Sequence, residues 1–123
     1  MVTPVKLVSD PAAAANPNTV KVVFDRAGRA LYFSRSPLPF WRDGGQPYYY
    51  RHLGIYAYRV QFLKEFVHLP PGRWEAAEKL EQLRALEHGF PIHIVETDGD
   101  TREVDSPEDA RQVEEFLRRQ QSD

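Results

Sequence analysis

Residues 2–9 (Val-Thr-Pro-Val-Lys-Leu-Val-Ser) alternate apolar and polar positions with the two-residue period of a β-strand. Pro4 has no N–H to give a ladder, which assigns that strand to a sheet edge. Asp10-Pro11 reads as the cap and first residue of a short alanine helix that stops before Pro17. Residues 20–24 and 30–34 are β-branched or aromatic runs separated by Asp25-Arg26-Ala27-Gly28-Arg29. An Asp at the start of that segment and a Gly where a positive φ is needed predict a β-hairpin.

Three Pro and two Gly within residues 36–47 predict a loop. Residues 52–58 are dense in apolar and aromatic side chains and read as a third strand; residues 61–68 read as a short amphipathic helix stopped by Pro70-Pro71. The strongest helical pattern covers residues 75–88, with Ala76, Leu80 and Leu83 on one stripe and Gly89 as the stop. Residues 91–97 alternate as a strand. Ser106-Pro107-Glu108-Asp109 opens a last helix, with Ala110, Val113, Phe116 and Leu117 facing inward and Arg118-Arg119 at its end. Strands in the first half, and helices between the later ones, predict an α/β fold: a mixed sheet with a β-hairpin and flanking helices.

Composition narrows the class. At 123 residues, 41% hydrophobic and 28% charged, the chain has the make-up of one soluble globular unit. The absence of cysteine excludes disulfides, thiolate metal sites and thiol catalysis, and fits a reducing cytoplasm. No run approaches the roughly 18 apolar residues of a membrane span, so no membrane partner is expected. The net charge of −2 gives no electrostatic footprint for nucleic acid. Residues 1–62 carry +5, however, and residues 63–123 carry −7. That asymmetry suits an anionic ligand and a cation, and equally suits a mixed solvated surface.

Candidate chemistry is sparse. On a helix over residues 75–88, Glu78, Glu81 and Gln82 stand at i, i+3 and i+4, opposite Leu80 and Leu83. Such a face is either simply solvated or a pair of grips for sugar hydroxyls, since a carboxylate accepts and an amide both donates and accepts. In a strand over residues 52–58, His52, Tyr56 and Tyr58 share one face, as packed aromatics or as a pocket wall. Arg35 ends the second hairpin strand, where its guanidinium fork could meet a carboxylate. Asp105 precedes the last helix and serves either its dipole or a hard cation.

Five strings settle the choice by resemblance. Val20-Lys21-Val22-Val23, Ala30-Leu31-Tyr32-Phe33-Ser34-Arg35-Ser36-Pro37, Arg51-His52-Leu53-Gly54-Ile55-Tyr56-Ala57-Tyr58-Arg59, Leu80-Glu81-Gln82-Leu83-Arg84 and Val104-Asp105-Ser106-Pro107-Glu108-Asp109 occur in that order. Together they resemble the C-terminal half of 3-deoxy-manno-octulosonate cytidylyltransferase, the CMP-KDO synthetase of lipopolysaccharide synthesis. The resemblance implies the C-terminal half of a nucleotide-diphosphosugar-transferase-like fold, with residues 1–123 forming a single domain or half-domain. It implies that KDO and CTP are the partners, that KDO's anomeric hydroxyl attacks the α-phosphate and that pyrophosphate leaves with the help of Mg2+. It also implies that Arg35, His52, Tyr56, Glu81 and Gln82 bind the sugar acid and that Asp105 binds magnesium. A homodimer in the cytoplasm is expected. The family's Gly-rich nucleotide loop has no counterpart among these residues, so the chain reads as a fragment that is inactive alone. The alternatives are a non-catalytic sugar-acid-binding or oligomerisation module and a CMP-sialate-synthetase-like relative.

Overall fold

The computed structural model describes residues 1–98 together with Arg111, Glu114, Glu115, Arg118 and Arg119. Within residues 1–98, five strands and four short helices follow one another as β1 (Val2–Val8), α1 (Pro11–Ala15), β2 (Lys21–Phe24), β3 (Ala30–Ser34), β4 (Tyr49–His52), α2 (Val60–Phe66), α3 (Arg73–Glu78), α4 (Leu83–Glu87) and β5 (His93–Glu96). The strands form one sheet in the order β3-β2-β4-β1-β5, in which only the β1–β5 pairing is parallel. The expected mixed α/β sheet with a hairpin is what the chain forms.

Local chemistry explains the elements that agree. The Asp10 carboxylate accepts from Ala12 N at 3.0 Å and Pro11 takes the first helical position, so α1 starts where the Asp-Pro pair directs it. In the β2–β3 turn, Asp25 Oδ1 accepts from both Ala27 N and Arg29 N at 2.9 Å, an Asx-type closure. Gly28 there has φ +80°, and a Cβ on it would sit 3.5 Å from the Ile94 carbonyl. That close approach has a purpose: Ala30 N donates to Ile92 O at 2.8 Å and Ile94 N donates to Gly28 O at 2.7 Å, so the hairpin tip is tied to the stretch around β5.

Three expectations are corrected. β1 is not an edge strand, because β4 and β5 flank it. Pro4 is tolerated because the β1–β4 register runs only to Val5↔His52, and Pro4 lies beyond it, accepting from Leu53 N at 3.2 Å and owing no donor there. The third strand runs over Tyr49–His52 and not over residues 52–58. Gly54, at φ +73°, turns the chain immediately after it, and Ala57 comes back to bridge Val2.

The helix expected over residues 75–88 is two helices. Lys79 takes the left-handed conformation (φ 57°, ψ 46°) and ends α3, and Leu80, Glu81 and Gln82 form the corner before α4. Ala76 is exposed, while Leu80, Leu83 and Ala85 join Val5, Val22, Phe33 and Ile92 in the core. Leu80 and Leu83 keep helical spacing across the corner because both are buried in the core, so periodicity alone had no means of registering the break. Glu87 of α4 closes the arrangement by accepting from Trp74 N and Glu75 N at the start of α3, at 3.0 and 3.2 Å. The last expected helix, from Ser106, lies outside the described residues apart from Arg111, Glu114, Glu115, Arg118 and Arg119, which are helical.

The sign of one substitution tests the break. In a continuous helix, Lys79→Gly costs about 1 kcal/mol. At a left-handed position it removes a strain of about 1 kcal/mol. We expect Lys79→Gly to raise the midpoint of thermal unfolding and Lys79→Val to lower it; a lower midpoint for the glycine variant would restore the single helix.

Candidate functional site

The turn after β4, helix α2 and the α3–α4 corner enclose a concavity of about 380 Å3, within the range of small-molecule sites. Tyr56 and Tyr58 come from the turn, Phe62, Leu63, Phe66 and Val67 from α2, Glu81 and Gln82 from the corner, and Arg84 from α4. One wall is aromatic: Phe62 stacks near Tyr58, Phe66 and Phe90 with ring centroids 6.4, 5.7 and 5.4 Å apart. The other wall is polar.

That polar wall has an uneven charge. Arg84 donates from Nε and Nη2 to the two carboxylate oxygens of Glu75 at 2.9 and 2.7 Å, a bidentate pair, and its guanidinium lies 5.3 Å from the Phe66 ring centroid. This pairing holds the Glu75 carboxyl below its usual range. The Arg84 charge is thereby spent. Glu81, by contrast, is exposed and forms no ion pair with another described residue. Gln82 is only 7% exposed, and its side-chain amide makes no hydrogen bond among the described residues, so its donors and acceptor face the concavity. Burial, reinforced by the Glu81 carboxylate, pushes the Tyr56 hydroxyl well above the usual phenol range, so it remains a proton donor.

His52 lies behind this wall. Its ring sits 5.1 Å from Tyr56 and 5.0 Å from Phe33, and it is 6% exposed. Thr3, fully buried, has one hydroxyl proton and gives it to Ile55 O at 2.7 Å; the Thr3 oxygen therefore accepts from Nε2–H of His52 at 2.9 Å, which assigns the tautomer. Burial holds the imidazole down to about 4, so it is neutral near pH 7.

Arg35 is elsewhere. Its Nε donates to Glu78 O at 2.7 Å, Nη2 to Lys79 O at 3.2 Å and Nη1 to Pro17 O at 3.0 Å, and it does not line the concavity. Asp105 lies outside the described residues. The structure thus gathers Tyr56, Glu81 and Gln82 around one concavity, sets His52 directly behind Tyr56 and leaves Arg35 at the base of the corner. Neither shared strand alternation nor a shared helix face does the gathering. Thr3, Arg84 and the α2 aromatics were not among the expected site residues: a threonine in an alternating strand and an arginine within a helix give no sequence signal of their own.

Similarity to known proteins fits this geometry. The model of the cytidylyltransferase family matches residues 1–120. This chain belongs to that cytidylyltransferase family. A 3-deoxy-manno-octulosonate cytidylyltransferase of Syntrophobacter fumaroxidans is 60% identical over 100 residues, covering 80% of this chain and 40% of that protein. The protein of the same name from Solibacter usitatus is 46% identical, covering 92% and 45%. An 8-amino-3,8-dideoxy-manno-octulosonate cytidylyltransferase of Shewanella pealeana is 51% identical, covering 89% and 45%. The solved structure of a CMP:2-keto-3-deoxy-manno-octonic acid synthetase complexed with CTP superposes with a TM-score of 0.90 at 39% identity, over 97% of this chain and 49% of that one. The chain therefore spans less than half the length of the curated relatives it matches. Among the described residues no helix is long and apolar enough to cross a membrane.

The buried imidazole gives a pH test. Its folded pKa of about 4 lies below the unfolded value near 6.5, so the unfolded state binds more protons between those limits and stability falls on acidification. We expect a loss of about 2 kcal/mol between pH 7.5 and 5, above the range where the Glu75 and Glu78 carboxylates contribute, and a much flatter profile for His52→Gln. Chemical denaturation at each pH checks it; equal slopes for the two proteins would remove His52 as the cause.

Proposed function

We propose that this chain forms the sugar-acid-binding part of a cytidylyltransferase that joins KDO to CTP, giving CMP-KDO and pyrophosphate for lipopolysaccharide synthesis in the cytoplasm. One observation carries the proposal for this chain's own residues: Tyr56, Glu81 and Gln82, drawn from separate elements, converge on one concavity. A sugar acid offers several hydroxyls and one carboxylate. Glu81 accepts from hydroxyls, Gln82 donates and accepts, and the protonated Tyr56 donates. His52, through its ring contact, holds Tyr56 in place.

In the reaction, the anomeric oxygen of KDO forms a bond to the α-phosphorus and loses its proton, while the bond from that phosphorus to the pyrophosphate oxygen breaks. In this reading Tyr56, Glu81 and Gln82 orient the nucleophile. Magnesium belongs to the proposal through Asp105 alone. Among the described residues no group of three or more His, Asp or Glu could hold a metal ion. One carboxylate does not complete a magnesium site; with its other ligands supplied, the ion would neutralise phosphate charge.

A second reading of specificity rests on Glu81. A rim carboxylate held in no ion pair favours a sugar acid carrying an ammonium group, such as the 8-amino-3,8-dideoxy substrate in the name of the Shewanella pealeana relative. The proposal also includes self-association, supported by exposed apolar side chains such as Phe40 (87% exposed) and Leu31 (61%).

Titration of the chain with KDO, followed by NMR, is the test. We expect saturable binding, weakened about tenfold by Glu81→Gln and by Gln82→Ala. With CTP, KDO and magnesium, the chain alone is expected to release no pyrophosphate. KDO binding indifferent to both substitutions would overturn the assignment of the site, and tighter binding of the 8-amino sugar would select the second reading.

A further inference from the structure

We propose that Thr3 is a positioning residue, whose hydroxyl fixes the Ile55–Tyr56 peptide and the His52 ring and so sets the place from which Tyr56 meets a ligand in the concavity. The inference rests on the sugar-acid reading of that concavity for its functional meaning, and on geometry alone for its structural content.

Tyr56 stands in the turn between β4 and α2, and that turn is tied to β1 at both ends. Leu53 N donates to Pro4 O at 3.2 Å, and Val2 and Ala57 exchange backbone hydrogen bonds at 2.7 and 2.9 Å. Between these ties the chain passes Gly54, at φ +73°, and Ile55, whose side chain is 56% exposed and gives the turn little apolar hold. The Ile55 carbonyl supplies the hold instead: it accepts from Thr3 Oγ1 at 2.7 Å. A peptide unit is planar from one Cα to the next, so a carbonyl held at Ile55 fixes the orientation of the bond leading into Tyr56.

The second arm reaches the ring. The Thr3 oxygen accepts from His52 Nε2 at 2.9 Å, with both residues buried. Ring contacts alone, to Phe33 and Tyr56 at 5.0 and 5.1 Å between centroids, would let the imidazole turn over about its Cβ–Cγ bond with little change of shape. The Thr3 oxygen removes that freedom. Its hydroxyl has one proton and gives it to Ile55, so donation runs in one direction, from His52 through Thr3 to Ile55. The peptide before Tyr56 and the ring beside it thus answer to one oxygen atom. Valine has the outline of threonine without that oxygen, and would leave the His52 N–H and the Ile55 carbonyl without this partner. The opposing assignment makes Thr3 a core filler whose hydroxyl serves stability alone.

The full chain, as wild type, Thr3→Ser and Thr3→Val, separates the two assignments. The first measurement is NMR of the ring nitrogens near pH 7 without ligand, with His52→Gln identifying the His52 signals. We expect the proton on Nε2 in the wild type and in Thr3→Ser, and a mixture of both tautomers in Thr3→Val. The second is affinity for KDO, expected to fall about tenfold in Thr3→Val and by less than about twofold in Thr3→Ser. The third repeats the Thr3→Val comparison on a Tyr56→Phe background, which lacks the hydroxyl that Thr3 positions. A residue acting through Tyr56 loses its effect there; a core filler keeps it. A wild-type His52 protonated on Nδ1, an unchanged affinity in Thr3→Val, or a penalty undiminished on the Tyr56→Phe background would overturn the proposal. The wild-type tautomer applies that test even where Thr3→Val does not fold. If the wild-type chain binds no KDO, the sugar-acid reading fails and the tautomers still decide whether Thr3 holds the ring.

Discussion

The whole arrangement depends on one buried cation. Lys21, in the middle of the sheet, is 1% exposed, and its ammonium donates to the carbonyls of Asn16, Thr19 and Arg35. An ammonium has three N–H groups, and here each meets a carbonyl, which is the condition under which burying such a charge is tolerable. Burial lowers its pKa and the nearby Glu78 carboxylate opposes that shift. The three carbonyls belong to the connection before β2 and to the residue after β3. Lys21 therefore draws both ends of the hairpin together, and with them Arg35, which donates to the Glu78 and Lys79 carbonyls at the end of α3. Tyr32 completes the same polar layer: burial, with Glu78 beside it, pushes its hydroxyl up to about 12.

Around this layer the chemistry divides by role. Carboxylates that face inward are consumed by structure: Glu75 by Arg84, Glu78 by the backbone of Arg35, Glu87 by the first amides of α3. Glu81, one residue beyond the buried Leu80, escapes that fate because the left-handed turn at Lys79 swings it to the rim. The difference between a structural and a recognition carboxylate on the same polar run is thus set by one backbone conformation.

What was legible in the sequence was whatever local chemistry decides. Asp10-Pro11, the Asp25–Gly28 turn and the hairpin strands rest on caps and turns that operate within five residues, and each forms as the residues dictate. The long helix over residues 75–88 and the strand over residues 52–58 went astray for one reason: apolar spacing records the type of residue and not where the backbone turns, so Ala76, Ile55 and Tyr58 counted as inward although they are exposed. Gly54 was a visible warning of the second bend. Lys79 gave none, because the carbonyls around it are bonded by Arg35, more than forty positions earlier. Of the candidate site, Glu81, Gln82 and Tyr56 were named through family resemblance and meet in one place, although the helix and strand expected to bring them there do not exist. Arg35 and His52 were named too, but their partners, Glu78 and Thr3, could not be seen without the fold.

The parallel pairing of β1 with β5 has a consequence for the order in which the chain can assemble. The hairpin and the α3–α4 corner involve close neighbours and can form as soon as their residues exist. β1 is made first and is completed last, since one partner arrives with residues 49–52 and the other only with residues 93–96. Closing a loop of that span is slow relative to local steps, and a waiting strand is a template for foreign pairing. Pro4, the residue that made β1 read as an edge, suits that interval, and so does Lys6: a missing N–H and a charge both discourage association with another chain. The edge character written into β1 describes its history in assembly, while its neighbours in the finished sheet describe its end.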